Sequence, residues 1–371
     1  MRTADRVWIA ALVGAALALA AIGLAIQWSI SRGEPYLGDG LFARHAIWLA
    51  VGSVAGAVAA AIPLRWWRAL ALPLYGLGVV ALAATVAGFG PELMGTRRWL
   101  AFGPLVVHVA ALFQVALVLG LAHTASREPK PACAGRRIGD ALVVAAAVLL
   151  PAALLYAQPD IVGAAEILVV SIAVLARGRR TWIPAVGLGT IALAAPVVLW
   201  KFLLHDYQRA RILDFFSETP DVLGIGYQTA VASELLRSGG IAGRGLGSAA
   251  QDGLSHLANA RTDFALVVVG HERGALGIAV VLLLLAAIVA ICLRAALRSP
   301  DRLAALVAFG AAVLFVWQAG LHVAVNLGLL PVLSTPGLPL ISYGGSGTVA
   351  ALVCVGLVIR GATGLTTPPP P

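Results

Sequence analysis

The chain has 371 residues, of which 60% are hydrophobic and only 12% charged. With a mean hydropathy of +0.93, it lacks the charge that the surface of a soluble protein of this length requires. A formal charge of +9 would suit nucleic acid. The basic residues, however, sit in short loops between apolar runs, where they orient spans and meet anionic headgroups, so the expected partner is membrane lipid and not nucleic acid.

The start, MRTADR, leads directly into an apolar stretch that is too long for a signal-peptide core and has no clear small-residue cleavage site, so it reads as a retained span. A span needs about 20 mostly apolar residues. Such runs recur near 7–30, 45–63, 68–89, 102–124, 139–157, 161–177, 182–204, 264–293, 303–330 and 338–360. The expected fold class is therefore an all-α polytopic membrane protein of about ten helices. Arg2, Arg6, Arg65, Arg68, Arg127, Lys130, Arg136, Arg137, Arg177, Arg179, Arg180, Arg294, Arg298, Arg302 and Arg360 fall on one side. The short loops on the other side carry Arg32, Arg44, Arg97 and Arg98. This asymmetry places both termini in the cytoplasm. Residues 205–263 then form one large extracytoplasmic loop between spans 7 and 8, and loops of that length are usually functional or disordered. Within it, Tyr227 to Arg237 reads as a short helix stopped by Ser238-Gly239-Gly240. Residues 1–363 are expected to be a single domain, followed by a disordered proline-rich tail, 364–371. Cys133, Cys292 and Cys354 have neither disulfide nor metal spacing.

Five constellations could carry chemistry. Asp221 follows a proline and precedes Gly224-Ile-Gly226-Tyr227-Gln228; it can cap the coming helix, or act as a general base made more basic by partial desolvation. Arg209 and Arg211, with Arg97 and Arg98, can fork onto phosphate oxygens or meet headgroups. The stretch Gly239 to Gly247 lacks the strand and the Gly-Lys-Ser/Thr ending of a nucleotide loop, which leaves tight turns as its use. Asp263 and the run Gly270-His271-Glu272-Arg273-Gly274 bring charge to the start of a span, where Glu272 is either functional or paired with an arginine. Pro339-Leu-Ile-Ser342-Tyr343-Gly344-Gly345-Ser346 interrupts the last run and predicts a broken helix lining a cavity, or a kinked packing helix. His108, Glu166 and His322 are isolated polar residues at membrane depth, and Glu166 has no partner visible in the sequence.

Taken in order, these segments resemble the SEDS family (shape, elongation, division and sporulation proteins), the RodA/FtsW group. The resemblance runs from Gly95-x-Arg97-Arg98-Trp99 through Gln158-Pro159-Asp160, Tyr207-Gln208-x-x-Arg211-Ile212, and Asp221 with Gly224-x-Gly226-Tyr227-Gln228. It continues through Ser238-Gly239-Gly240, Gly243-x-Gly245-x-Gly247, Thr262-Asp263-Phe264 and Gln318 to the final Pro339–Ser346 motif. The resemblance implies a glycosyltransferase of the bacterial cytoplasmic membrane that polymerises lipid II into glycan strands at the outer face, in elongation or division. Its partner would be a class B penicillin-binding protein. It implies Asp221 as the catalytic residue, with Arg97, Arg98, Arg209, Arg211, Tyr227, Gln228, Asp263, Ser342, Tyr343, Gly344 and Gly345 binding the diphosphate or headgroup. No organic cofactor is implied; a divalent metal, magnesium or manganese, is an open point.

The chain departs from the family pattern at several polar positions. Ala111 and Gln114 stand where a carboxylate–lysine pair is usual, Val222 where proline follows the aspartate, Ala258-Asn259 for Pro-Glu, His271-Glu272-Arg273 for Glu-Glu-Leu, and His322 for asparagine. These changes point to an altered substrate, partner or regulation. Two other functions fit the sequence: a transporter of lipid-linked precursors, which would depend on Glu166, and a non-catalytic scaffold for a penicillin-binding protein.

Overall fold

The computed structural model describes residues 3–33, 40–93, 95–103, 105–127, 134–178, 181–219, 221, 223–252 and 256–363. The proline-rich tail and Cys133 lie outside them. The chain is helical almost throughout: α1 Thr3–Gly33, α2 Gly40–Ala61, α3 Leu64–Val86, α4 Val109–Ser126, α5 Ala134–Ala157, α6 Ile161–Ala176, α7 Trp182–Val198, α8 Asp206–Phe215, α9 Tyr227–Gly239, α10 Ala265–Arg298, α11 Arg302–Asn326 and α12 Gly345–Thr363. Among the described residues eight helices are long and apolar enough to cross a membrane, and α6 and α7 are shorter apolar helices. The ten apolar runs thus each contribute one helix. Pro196 near the end of α7 cannot donate to the helical ladder, and one π-helical turn, Leu199–Leu203, follows directly.

Three expectations need correction. The fourth run does not enter the membrane at residue 102. Trp99–Phe102 (β1) and Leu105–His108 (β2) pair as an antiparallel hairpin, with Trp99 opposite His108, and α4 begins only at Val109. The last helix is not broken: Pro336 to Gly344 form an irregular segment ahead of it, in which Leu338, Leu340 and Ile341 are fully buried. The break falls instead in α10, at Gly274 (φ 66°, ψ −167°). The nine residues before it, Ala265 to Arg273, form a separate helical leg in which Ala265 to Val269, His271 and Glu272 are shielded from solvent.

Small residues set the helix spacing that carries the site. Gly52 and Gly56, one turn apart on α2, face α12: a Cβ on Gly56 would lie 2.6 Å from the Leu352 carbonyl, and one on Gly356 2.1 Å from that of Gly56. Close backbone approach of this kind drives helix association in lipid, where no hydrophobic effect operates between helices. It fixes α12, and with it the motif that precedes α12, against α1 and α2.

Candidate functional site

The long loop between α7 and α10 is seated on the bundle by buried polar groups, each joined to a backbone partner. From α1, Gln27 donates to the carbonyls of Arg261 and Ile341, both at 3.2 Å. From α11, Asn326 donates to the Asp263 carbonyl at 2.8 Å and accepts from the Val267 N–H at 3.2 Å. His322 bonds the Pro336 carbonyl through Nδ1 at 2.9 Å. Ser342 donates to the Thr262 carbonyl at 2.7 Å and accepts the Leu338 N–H at 2.8 Å, while the Tyr343 N–H reaches the Arg261 carbonyl at 2.8 Å. Buried polar groups require such partners. Ser342 and Tyr343 therefore clamp the end of the loop; Gly344 completes the segment, and Gly345 opens α12 where a side chain would meet the Trp48 ring.

The glycine stretch 239–247 has a physical explanation. The break at Gly274 frees backbone groups of α10, and the loop takes them up. Arg244 and Gly245 donate to the carbonyls of His271 and Glu272, both at 3.0 Å, while Ala275 and Leu276 donate to those of Gly240 and Ile241 at 2.9 and 3.1 Å. The contact has no room for a side chain at Gly243 (φ 81°), where a Cβ would sit 2.2 Å from the Glu272 carbonyl. Glu272 forms no arginine salt bridge among the described residues. Its carboxylate accepts from the Ser29 hydroxyl and, at 3.1 Å, from the Gly247 N–H. Beside it His271 bonds Ser238 through Nδ1 and Asp252 through Nε2, at 2.8 and 3.2 Å. Arg244 completes that chain at the surface end by bonding Asp252 at 3.1 Å, which holds the Asp252 carboxyl below its ordinary range.

The opposite part of the loop is built differently. A cavity of about 250 Å3 is lined by Arg211, Asp214, Gln228 and Ser233 from α8 and α9, with Ile225 and Gly226 from the turn between them and Val332 from the segment ahead of α12. Asp221 opens this turn. It is exposed, so the partial desolvation expected of it is not found: the turn lies outside the bundle. Its carboxylate accepts the N–H groups of Gly224 (2.9 Å) and Ile225 (3.4 Å) within its own turn, so it does not cap α9, whose N-cap is Gly226 without a side-chain bond. A Cβ on Gly224 would lie 2.1 Å from that carboxylate, which explains the first glycine of the Gly-x-Gly pair. The Asp221 N–H donates to Asp214 Oδ1 at 2.7 Å.

The remaining sequence candidates divide between the two regions. Arg211 projects into the cavity and also donates to the Val332 carbonyl at 2.8 Å. Gln228 lines the cavity and holds 256–258, accepting from the Ala258 N–H at 2.7 Å, while Tyr227 starts α9 beside it. Arg209 pairs with Asp206 at 3.7 Å on the surface of α8. Arg97 pairs with Glu92 at 3.3 Å, and Arg98 is committed to the turn after α5, donating to the carbonyls of Gln158 and Pro159 at 3.0 and 2.6 Å. Asp263 is half-buried, and loss of water raises its carboxyl to about 6 against the opposing pull of Arg98 and Arg211. Glu166 does have a partner: Gln318 donates to it at 3.3 Å and to Gln114 at 3.0 Å, which joins α4, α6 and α11. Asp214 was missed in the sequence, since a lone carboxylate inside a polar helix carries no signal. Among the described residues no three His, Cys, Asp or Glu side chains gather to hold a metal ion. Asp214, which lines the cavity, is joined to the turn of Asp221 through the Asp221 N–H.

Comparison with known proteins agrees with this layout over its whole length. Residues 10–365 match the FtsW/RodA/SpoVE family model, described as a cell cycle protein. The chain is 30% identical over 344 residues to the peptidoglycan glycosyltransferase MrdB of Escherichia coli strain K12, covering 92% of this chain and 90% of that one. It is 32% identical over 366 residues to a probable peptidoglycan glycosyltransferase FtsW of Aromatoleum aromaticum, covering 94% and 86%. The rod shape determining protein RodA of Thermus thermophilus superposes with a TM-score of 0.69 at 25% identity, over 96% of this chain and 97% of that one. A chain from a peptidoglycan synthase complex that coordinates polymerisation and crosslinking superposes with a TM-score of 0.78 at 28% identity, over 96% and 98%. The chain therefore belongs to the FtsW/RodA/SpoVE family of multi-pass bacterial membrane proteins.

Proposed function

We propose that this protein is a peptidoglycan glycosyltransferase that polymerises lipid II into glycan strands, in cell elongation or division, at the outer face of the cytoplasmic membrane with both termini inside. The observation that carries this reading is the cavity between α8 and α9, lined by Arg211 and Asp214 and adjoined by the turn that Asp221 opens, on a loop that the bundle otherwise holds by buried hydrogen bonds. In the reaction the incoming 4-hydroxyl attacks the anomeric carbon of the growing strand. A C–O bond forms there as the bond to undecaprenyl diphosphate breaks, and Asp221 accepts the hydroxyl proton. An exposed carboxylate with lone pairs left over after its two backbone bonds is suited to that step. Arg211, which lines the cavity, would meet the developing charge on the diphosphate. Arg98, held by the carbonyls of 158 and 159, serves the scaffold. A divalent cation would be held chiefly by the diphosphate oxygens of the substrate, and would supply further charge neutralisation. A class B penicillin-binding protein that cross-links the product is the proposed partner.

The test is purified protein, with its partner, incubated with lipid II and either magnesium or manganese. Polymer is expected from the wild type and not from Asp221→Ala. Equal polymer from both overturns the role of Asp221. No polymer from the wild type under either metal, with lipid II moved across vesicles instead, overturns the enzyme in favour of a transporter.

A further inference from the structure

Asp214 takes no part in the proton transfer assigned above, yet it is the carboxylate that lines the cavity. It follows Arg211 by three residues on α8, so the two side chains share a helix face. Its Oδ1 accepts the Asp221 N–H at 2.7 Å. Its Oδ2 lies against the end of the same turn, where a Cβ on Gly226 would stand 2.7 Å away. The turn closes on itself: the Gly224 and Gly226 N–H groups reach the Asp221 carbonyl at 3.2 and 2.9 Å, and the Asp221 carboxylate takes the N–H groups of Gly224 and Ile225. A self-contained, exposed turn of this kind keeps its shape but needs an outside contact to fix its placement. The Asp214 bond, made by a carboxylate oxygen at 2.7 Å, is such a contact, and it reaches the turn from α8.

We infer that Asp214 is a positioning residue, which holds the turn carrying Asp221 against the cavity wall formed by Arg211. This rests on the glycosyltransferase reading for its kinetic consequence, though not for its structural one. A displacement of about 1 Å in a reacting group can cost about 100-fold in rate. The inference also gives the second glycine of the Gly-x-Gly pair a reason, since Gly226 leaves space for the Asp214 carboxylate.

The experiment compares wild type, Asp214→Asn, Asp214→Ala, Asp214→Ser, Asp221→Asn and the double variant Asp214→Ala/Asp221→Asn. Lipid II polymerisation is measured together with amide hydrogen exchange of the 221–226 peptide in detergent. Asp214→Ala and Asp214→Ser are expected to lose about 10- to 100-fold in kcat with KM within about 2-fold. Asp214→Asn keeps an acceptor oxygen and should restore most of the rate. The double variant should be no slower than Asp221→Asn alone, because a residue acting through another adds nothing once that other is gone. Exchange at 221–226 should rise in Asp214→Ala and Asp214→Ser and not in Asp214→Asn. A KM increase at unchanged kcat, or a further loss in the double variant, overturns the inference, as does an Asn variant as impaired as Ala. An inactive wild type would sink the function proposed above instead, while unchanged exchange in Asp214→Ala and Asp214→Ser would still overturn the positioning role.

Discussion

At the seat of the long loop, Gln27, Glu272, Asn326 and Ser342 are buried and each bonds backbone of another segment, whereas on the α8–α9 turn Asp214 is half-buried and Asp221 exposed. The difference is one of cost. A buried polar atom without a partner costs about 1–3 kcal/mol, so the groups bonded across the seat are committed to holding the structure. An exposed carboxylate loses little by keeping lone pairs for water and can exchange that water for a substrate hydroxyl. Polar residues that look alike in the sequence are thus divided by burial into those that build and those that react.

The sharpest way to break this division is to alter one residue of each kind. Asp221→Ala should lower polymerisation by about 100-fold or more, the range for loss of a general base. Its melting midpoint should stay near that of the wild type, because the side chain is exposed and only its own turn depends on it. Gly243→Ala should do the opposite. It asks a non-glycine residue to hold φ at 81° and drives a methyl group into the Glu272 carbonyl, 2.2 Å away. The expected loss is about 3 kcal/mol or more, seen as a lower melting midpoint, with activity falling only as the fold is lost. If Asp221→Ala melts like Gly243→Ala, the turn belongs to the seat and the division fails.

These two residues also show how far the sequence could be read. Helix number and the position of the long loop follow from apolar run length alone, because lipid requires each span to satisfy its own backbone. The hairpin at 99–108 was hidden by that same rule, as Leu100 to Val107 are apolar enough to extend the next span; Gly103-Pro104 was the local signal for a turn. Gly274 was legible as a glycine and not as a break, since what permits the break is hydrogen bonding from Gly240, Ile241, Arg244 and Gly245, some thirty residues earlier in the chain. Asp221 was visible through its neighbours. Asp214 was not, because its meaning lies in a contact with a turn that has no fixed spacing.

A smaller effect sharpens the arginines. Arg98 and Arg211 are equivalent as diphosphate candidates in the sequence, but Arg98 serves the carbonyls of Gln158 and Pro159 and Arg211 lines the cavity. Arg98→Ala should lower stability by about 1–3 kcal/mol, the cost of leaving those acceptors unpaired, and lower the rate at saturating lipid II only slightly. Arg211→Ala should lower stability by about 1 kcal/mol, for the single Val332 carbonyl it frees, and lower kcat by about 10-fold or more. An exchange of these two outcomes would assign the diphosphate to the hairpin side.

The smallest expected effect lies at Asp263, where the two regions adjoin. Its backbone carbonyl is held by Asn326 in the seat, while its carboxyl feels Arg211 from the cavity. Desolvation lifts the carboxyl to about 6 from an ordinary value of 3.8. A group with a raised value binds its proton more tightly in the folded chain. The stability it adds is therefore complete below about pH 4 and is lost as pH rises from there through about 6. Asp263→Asn mimics the protonated form at every pH. The melting midpoint of Asp263→Asn, relative to wild type, should accordingly be nearly equal at pH 4 and higher by pH 7, with most of the gain appearing between about pH 4 and 6. A difference that is flat across this range would mean that Arg98 and Arg211 fully offset the lost water, and would move Asp263 from the buried seat to the ionised side of the comparison.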